Sequence, residues 1–405
     1  MEPRIEPPSP GRPEEFGPFM EHLDGIFDFE GARGGMARNY RHIYRPELMH
    51  NNILIRRGGR IVSSVGVFPM LLKTGFGGPP PRAPRSASHS RVRYGAIGGV
   101  ATASSMRGRG LMKRLMGKAT ERMEREGMPI SILWGDRRRY NHFGYESCGR
   151  AWGLRLEERS LADHPAGPIR PVRVESEANW IDRMALIHGR RELSVKRTGP
   201  ARRGVYLRGR RQIWIVPARD PRRFAYAILG ESKHRSGCTL IEELGGNAES
   251  LVGLLKGLFG KLGLHELYYE APFRPGPEER LLQRLAKDVS LVKVGEIRIN
   301  SLLGTVEGFL RQMDYKRRLS GNARKGAITL RIKGTDDAVA LKLGGGSLAA
   351  TRARARGAVA LDRCAMARLL FGFVPPSSNP EFGRELRCLD PILPLDLFVP
   401  KLDYV

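Results

Sequence analysis

Residues 98–112 read Gly-Gly-Val-Ala-Thr-Ala-Ser-Ser-Met-Arg-Gly-Arg-Gly-Leu-Met, and this stretch is the most informative part of the sequence. The apolar residues 97–102 predict a strand that leads into a basic, glycine-rich turn. A helix after the turn is predicted from apolar residues at helical spacing, which are Leu111, Met112, Leu115, Met116, Ala119 and Met123. Glycines let a ligand approach the backbone closely, and a helix N-terminus offers unpaired N–H groups that bind phosphate. The stretch therefore predicts a strand–turn–helix unit, which is either a phosphate cradle or an ordinary connection.

The turn resembles the acetyl-CoA motif of the GNAT acetyltransferases, Arg/Gln-x-x-Gly-x-Gly/Ala. It departs from that motif at Met112, where a small residue is usual. The resemblance implies that acetyl-CoA is a co-substrate and that its pyrophosphate contacts Arg107, Gly108, Arg109, Gly110, Leu111, Met112 and Lys113. It also implies that the pantetheine arm pairs, like an added strand, with the backbone of Val100, Ala101 and Thr102.

A second motif follows the apolar residues 129–134, which read as a buried strand. Residues 140–145 are Tyr-Asn-His-Phe-Gly-Tyr, and they resemble the Tyr-x-x-Phe-Gly-Tyr motif of GNAT enzymes similar to the Eis (enhanced intracellular survival) acetyltransferases. In that subgroup the first tyrosine is the general acid, so the resemblance implies this role for Tyr140. Without the motif, packing against the sheet would be the preferred interpretation of Tyr140. Gly135 and Asp136 fall where the family approaches the thioester.

The end of the chain carries a third functional hypothesis. In Eis-like enzymes the terminal α-carboxylate reaches the active site as general base, which implies this role for Val405. The apolar residues around 391–395 argue against a frayed end. Asp396 and Asp403 are the rival bases.

The resemblance also implies a domain plan, and 405 residues favour two or three domains over one. The expected fold class is α/β (α+β), with two tandem GNAT-like mixed-sheet domains followed by a sterol-carrier-like α+β domain. The expected boundaries are 1–155 for the catalytic domain, 156–295 for a degenerate copy and 296–405 for the C-terminal domain. The middle region is expected to be non-catalytic, since it has no second Arg-x-x-Gly-x-Gly/Ala turn.

Periodicity and turn residues predict further elements. Residues 1–15 are expected to be a flexible lead-in, and residues 76–91 a long mobile loop on the substrate side. Strands are predicted at 53–56, 61–73, 212–216, 224–229, 266–270, 327–333, 338–343 and 347–351. Helices are predicted at 16–29, 248–263 and 358–371.

The net charge of +27 favours anionic partners in general. Basic clusters occur at 137–139, 202–211 and 316–318, but few aromatic residues lie between them, and the sequence has no helix-turn-helix signature. The composition therefore does not favour nucleic acid as the partner. No zinc-ligand spacing is present, so no metal is expected. No apolar run approaches the ~20 residues that span a bilayer, and four scattered cysteines suggest reduced thiols in the cytoplasm.

These observations predict an acetyl-CoA-dependent N-acetyltransferase. The acceptor is expected to be a primary amine of a small molecule or peptide, which attacks the thioester directly. The resemblance implies a homo-oligomer, often a hexamer. Two alternatives remain, a non-catalytic ligand-binding protein and a basic nucleic-acid-associated protein.

Overall fold

The strand predicted at residues 97–102 is the end of a longer strand, and the helix predicted from Leu111 follows it directly. A computed structural model describes residues 4–27, 34–75, 90–173, 176–209, 211–218, 220, 223–231, 238–321, 326–344, 347–354 and 356–405. Most of the loop predicted at 76–91 lies outside the described residues. None of the helices within these ranges combines the length and apolar character that a bilayer crossing requires.

Most predicted elements are present at nearly their predicted bounds. Among the described residues the helices are α1 (Phe16–Phe27), α2 (Gly35–Asn39), α3 (Leu111–Arg125), α4 (Arg137–Tyr140), α5 (Ala178–Arg190), α6 (Pro200–Gly204), α7 (Ala248–Leu262), α8 (Pro277–Leu285), α9 (Leu302–Leu319) and α10 (Arg363–Phe371). The strands are β1 (Ser9–Pro10), β2 (Asn52–Arg57), β3 (Arg60–Thr74), β4 (Arg91–Thr102), β5 (Ile130–Leu133), β6 (Glu146–Cys148), β7 (Ala151–Leu156), β8 (Arg170–Pro171), β9 (Leu193–Val195), β10 (Gln212–Val216), β11 (Ala225–Glu231), β12 (Cys238–Gly246), β13 (Glu266–Pro272), β14 (Asp288–Val292), β15 (Gly295–Ile299), β16 (Gly326–Ile332), β17 (Ala338–Gly344), β18 (Ser347–Arg352) and β19 (Val359–Leu361).

One compact unit comprises residues 1–149, 294–397 and 405. Its larger sheet has the order β1-β2-β3-β4-β5-β15-β6, and its smaller sheet has the order β18-β17-β16-β19. Helix α3 packs against the larger sheet through the predicted apolar positions, and Leu115, Met116 and Ala119 are fully buried there. The period of 3.6 residues placed these side chains on one helix face, and burial against the sheet stabilises that arrangement.

A second compact unit comprises residues 150–293 and 398–404. Its sheet has the order β14-β7-β13-β12-β11-β10-β8. Helix α7 supplies much of its core, with Leu251, Leu254, Leu255 and Leu258 completely buried. The mixed sheets and the helices of both units establish an α/β fold.

The two units share one local arrangement. In the first, β3 and β4 are antiparallel, α3 follows, and β5 is parallel to β4. In the second, β11 and β12 are antiparallel, α7 follows, and β13 is parallel to β12. Beyond these, β15 lies between β5 and β6, whereas β7 lies between β13 and β14. The first sheet thus takes β15 from beyond residues 150–293 of the second unit, and the predicted boundaries at 155 and 295 fall within β7 and β15.

Two predicted elements differ from the structure. The helix predicted at 358–371 begins only at Arg363, because residues 359–361 form β19 and pair with β16. The N-terminal segment predicted to be flexible instead adds strand β1 to the edge of β2. Glu15 holds it there by accepting hydrogen bonds from Nε and Nη2 of Arg56, both at 2.6 Å.

We expect Glu15→Gln to lower the stability of the first unit at pH 7 by about 2–3 kcal/mol. Hydrogen bonding to Arg56 is the main reason that the pKa of Glu15 falls from 4.5 to about 2. Its contribution to stability is therefore complete above pH 4.5 and is lost as the pH falls towards 2. Urea unfolding midpoints of wild type and variant should converge over that range. Glu14→Gln, at a side chain that is 67% exposed, is the control, and a constant difference at all pH values would contradict the assignment.

Candidate active site

Strand β4 separates from β5 where the predicted cofactor contacts begin. The two strands pair in parallel only as far as Ile97 and Leu133. β4 then continues to Thr102 while it stays paired with β3 on its other side. No strand in the described part of the chain pairs with the second edge of residues 98–102. The predicted pantetheine contacts, Val100, Ala101 and Thr102, therefore lie on a strand edge to which an extended ligand can add by main-chain hydrogen bonds.

The glycine-rich turn exposes both its backbone and its cations. Arg107, Arg109 and Lys113 are exposed. Gly108 and Gly110 have φ angles of +76° and +71°, which L side chains rarely adopt. A Cβ at either glycine would meet no atom within 4 Å, so the space beside both is open.

The N-terminus of α3 lies directly behind this turn. No side chain caps it, and its first turn contains no acidic residue. Leu111 is buried and Met112 is half-buried in the core, so these two residues can contribute only their backbone N–H groups to a ligand. Uncapped N–H groups, the helix dipole and the arginines together favour an anion at this point.

Helix α7, the counterpart of α3 in the second unit, begins differently. The side chain of Asn247 caps it by accepting a hydrogen bond from the N–H of Ser250 at 2.9 Å. Glu249 in its first turn adds a negative charge. Both features supply at the N-terminus of α7 the hydrogen bond and the negative charge that an anion would otherwise provide.

Tyr140 lies at the end of α4 and is 7% exposed. Its ring packs onto the backbone of Gly135, where an added Cβ would lie 2.6 Å from Cε2 of the ring. The N–H of Gly135 donates to Oε2 of Glu296, a fully buried acid of β15, at 3.2 Å. Burial raises the pKa of Tyr140, Glu296 raises it further, and Arg139 partly opposes both. The phenol is therefore protonated at neutral pH, as a proton donor must be.

The loop that carries Tyr140 is anchored at Glu146. Arg137 and Arg368 both donate to this buried carboxylate. Burial alone would raise the pKa of Glu146, but these bonds and the N–H of Ser147 lower it instead. Asp136 acts as the N-cap of α4, accepting from the N–H of Arg138 at 2.9 Å, so its side chain has a structural role.

Val405 lies against β4 at the point of separation. A Cβ on Gly98 would lie 3.0 Å from the carboxyl carbon of Val405. Gly98 immediately follows Ile97, the last β4 residue that pairs with β5. The structure thus brings the carboxyl group of Val405 to the start of the open edge of β4, while Tyr140 contacts the residues just beyond the end of β5.

The two rival carboxylates are engaged elsewhere. Asp396 is buried and forms an ion pair with Lys316 at 2.9 Å. Asp403, in the second unit, accepts hydrogen bonds from Arg197 at 2.8 and 2.7 Å. A carboxylate that already holds a buried cation is a poor proton acceptor, because protonation would leave that cation unpaired.

Asp403 also belongs to a buried cluster with the composition of a metal site. His188, Glu243 and Asp403 offer ligand atoms within 4.8 Å of one another. The guanidinium of Arg197, however, donates to both carboxylates, and Tyr226 donates to Glu243 at 2.9 Å. An organic cation thus already neutralises these acids, and we interpret the cluster as an ion-pair network rather than as a metal centre.

Glu296 had no signal in the sequence. It reaches Gly135 only because β15, far along the chain, inserts beside β5 in the first sheet. The sequence offered only an alternation of polar and apolar residues in 296–299, and that pattern does not identify a neighbouring strand.

The chain matches a known family over part of its length. Residues 85–148 match the model of the acetyltransferase (GNAT) domain, a range that contains β4, the turn, α3 and Tyr140. No curated protein sequence matches the chain.

Solved structures extend the similarity of fold to the whole chain. A GCN5-related N-acetyltransferase from Kribbella flavida is 17% identical with a TM-score of 0.66, covering 100% of this chain and 99% of that one. One from Anabaena variabilis ATCC 29413 is 16% identical with a TM-score of 0.68, covering 99% and 100%. Eis1 from Mycobacterium abscessus is 13% identical with a TM-score of 0.55, covering 86% and 90%. The chain therefore has a GNAT-type fold, and the family match supports an acyltransferase whose co-substrate is an acyl-CoA.

Proposed function

We propose that the protein is an acetyl-CoA-dependent N-acetyltransferase that acetylates a primary amine by direct attack. The observation that carries this proposal is the open edge of β4 next to an uncapped α3 N-terminus and the turn of residues 107–110. The edge suits an extended, amide-containing arm, and the turn suits a pyrophosphate. The two features are consecutive in the chain, as the pantetheine and the pyrophosphate are consecutive in CoA.

The double variant Arg107→Ala/Arg109→Ala should weaken acetyl-CoA binding by at least about tenfold. Each charge-assisted contact to a phosphate contributes about 1.5 kcal/mol or more. Calorimetric titration measures the change. Arg202→Ala/Arg203→Ala removes the same charge from exposed side chains of the second unit and should leave the affinity unchanged. Absence of binding by the wild type would contradict the proposed function.

In the proposed reaction the amine nitrogen attacks the thioester carbon, and the C–S bond breaks. Backbone N–H groups of residues 100–102 stabilise the developing negative charge on the carbonyl oxygen. The departing sulfur takes the phenolic proton of Tyr140, which solvent later restores. What supports this role is the contact of Tyr140 with Gly135, beyond the end of β5, and a pKa that keeps the phenol protonated.

We expect Tyr140→Phe to lower kcat by about 10²–10⁴-fold, because a positioned acid contributes about this much. Acetyl-CoA affinity should not change. Thiol release with a screen of primary amines measures turnover. Tyr145→Phe is the matched control, since that hydroxyl accepts a hydrogen bond from Ser131 in the core. An unchanged kcat in the Tyr140 variant would refute the assignment.

The α-carboxylate of Val405 is the proposed base, which takes the proton of the attacking amine directly or through water. Its place beside Gly98 supports this role, as do the ion pairs that occupy Asp396 and Asp403.

Two glycines added after Val405 should lower kcat by about 100-fold, the lower limit for a displaced proton acceptor. The variant Val405→Leu retains the carboxylate and is expected to keep most of the activity. Equal activity of the extended enzyme and the Val405→Leu control would rule out the carboxylate, and acetyl-CoA titration of both shows whether the cofactor site is intact.

Other features of the proposal rest on the family resemblance. They include a non-catalytic GNAT-like middle region, a sterol-carrier-like C-terminal domain, a homo-oligomer and a cytoplasmic location. The capped helix α7 supports the first, and the four-stranded sheet packed against α9 supports an α+β C-terminal domain. The four cysteines are free thiols, which fits a reducing compartment.

A further inference from the structure

Three glycines form a floor on the face of β3 and β4 that lies opposite α3. Gly66 and Gly98 are direct partners across the two strands, and Gly99 follows with a φ of +56°. Val65, Val67 and Ile97 pack on the α3 side of the sheet. Because successive residues of a strand point to opposite faces, Gly66 and Gly98 lie on the other face. Glycine within paired strands is costly and commonly marks a place where a ligand or another backbone approaches closely.

A polar group lies near each glycine of the floor. A Cβ on Gly66 would meet the Phe68 ring at 2.5 and 2.6 Å and Oδ1 of Asn52 at 3.0 Å. A Cβ on Gly99 would lie 2.7 Å from the hydroxyl oxygen of Tyr44. The carboxyl group of Val405 faces Gly98 in the same way. Three hydrogen-bond acceptors therefore border one glycine-lined strip.

Two of these acceptors have no partner. Tyr44 is 3% exposed and Asn52 is 1% exposed, and neither the Tyr44 hydroxyl nor Oδ1 of Asn52 has a hydrogen-bond partner among the described residues. A buried polar group without a partner costs about 1–3 kcal/mol. Two such groups beside adjoining glycines are acceptors whose hydrogen bonds a ligand can supply.

Both side chains are held in place. The Tyr44 ring makes edge-on contacts with Phe19 and Phe68, with centroids 6.0 and 5.7 Å away. The amide of Asn52 is oriented by Nδ2, which donates to the carbonyl of Met49 at 3.5 Å. Burial raises the pKa of Tyr44 far above its usual range, so its oxygen is a neutral hydroxyl.

We propose that Tyr44 and Asn52 bind the ammonium group of the acceptor substrate together with the carboxylate of Val405. A primary ammonium carries three N–H donors, and the Tyr44 hydroxyl, Oδ1 of Asn52 and the Val405 carboxylate supply three acceptors. The arrangement selects primary over secondary amines, since a secondary ammonium leaves one acceptor unpaired. The inference rests on the proposed function and names the group that its substrate must carry.

These three acceptors also fit the transfer of the ammonium proton to the carboxylate of Val405. Of the three acceptors only the carboxylate takes a proton readily, so the amine that remains keeps hydrogen bonds to two neutral oxygens. Those two oxygens then orient the nitrogen without competing for its proton. Tyr44 and Asn52 thereby bind and orient the amine, while the carboxylate is the base.

Binding of 2-phenylethylamine, with the enzyme saturated with CoA, tests the proposal without requiring turnover. Its phenyl group suits the aromatic side chains next to Tyr44. Calorimetry should show that Tyr44→Phe weakens binding about tenfold or more, the loss expected for a hydrogen bond to a charged group. Asn52→Leu should have a similar effect, and N-methyl-2-phenylethylamine should bind the wild type about tenfold more weakly than the primary amine.

Tyr94→Phe is the matched control. Tyr94 is a fully buried tyrosine of β4 whose hydroxyl donates to Sδ of Met70 at 3.2 Å, outside the glycine strip. It should leave amine binding unchanged. Tyr44→Phe should not lower the thermal unfolding midpoint of the free enzyme, because it removes an unsatisfied hydroxyl, whereas loss of a structural hydrogen bond would lower it.

These measurements distinguish failure of the ammonium site from failure of the proposed acetyl transfer. If Tyr44→Phe and Asn52→Leu bind the probe as well as wild type, or if the wild type does not bind it at millimolar concentration, the ammonium site is overturned. Equal affinity for the N-methyl probe overturns the three-acceptor set. If binding depends on Tyr44 and acetyl-CoA binds but no thiol is released, the ammonium site stands and acetyl transfer fails.

Discussion

The parting of β4 from β5 is the constraint on which the rest of the candidate site depends. Parallel pairing as far as Ile97 holds the two strand ends at a fixed separation, and its loss beyond that residue frees one edge of backbone. The turn and α3 follow the same strand, so the proposed anion site comes directly after that edge in the chain. Tyr140 lies against Gly135 and Val405 lies against Gly98, and a side chain at either glycine would collide with them.

The arginines that give the protein its large positive charge fall into two groups, which the composition alone does not distinguish. Several arginines neutralise buried carboxylates, as at Glu146, Glu243 and Asp403. Such pairs contribute little net stability, but removing one partner is costly, so they fix the positions of the segments that carry them. In contrast, Arg107 and Arg109 are exposed at an uncapped helix end. Location, rather than the total, distinguishes arginines that organise the fold from those available to a ligand.

Local features were predictable from the sequence, and long-range ones were not. The turn, α3, α7 and most strands follow from periodicity and glycine placement, and the family resemblance implied the α/β class. The predicted helix at 358–371 wrongly included the short strand β19, because β19 lies directly before α10 and its apolar residues continue the helical spacing of α10. Glu296, Tyr44 and Asn52 carry no motif. Their relation to the site depends on strands β15, β2 and β3 meeting in space, which periodicity within one segment cannot report.

The insertion of β15 into the first sheet affects how the chain folds during synthesis. The first sheet contains β15, whose residue Ile299 pairs with Ile130 of β5. The ribosome must therefore synthesise residues 150–293 of the second unit before β15 can insert between β5 and β6. Until then β5 and β6 present unpaired edges, the type of surface on which nascent chains associate wrongly. Contacts of such high sequence separation also slow folding, so the first sheet is completed late in synthesis and slowly.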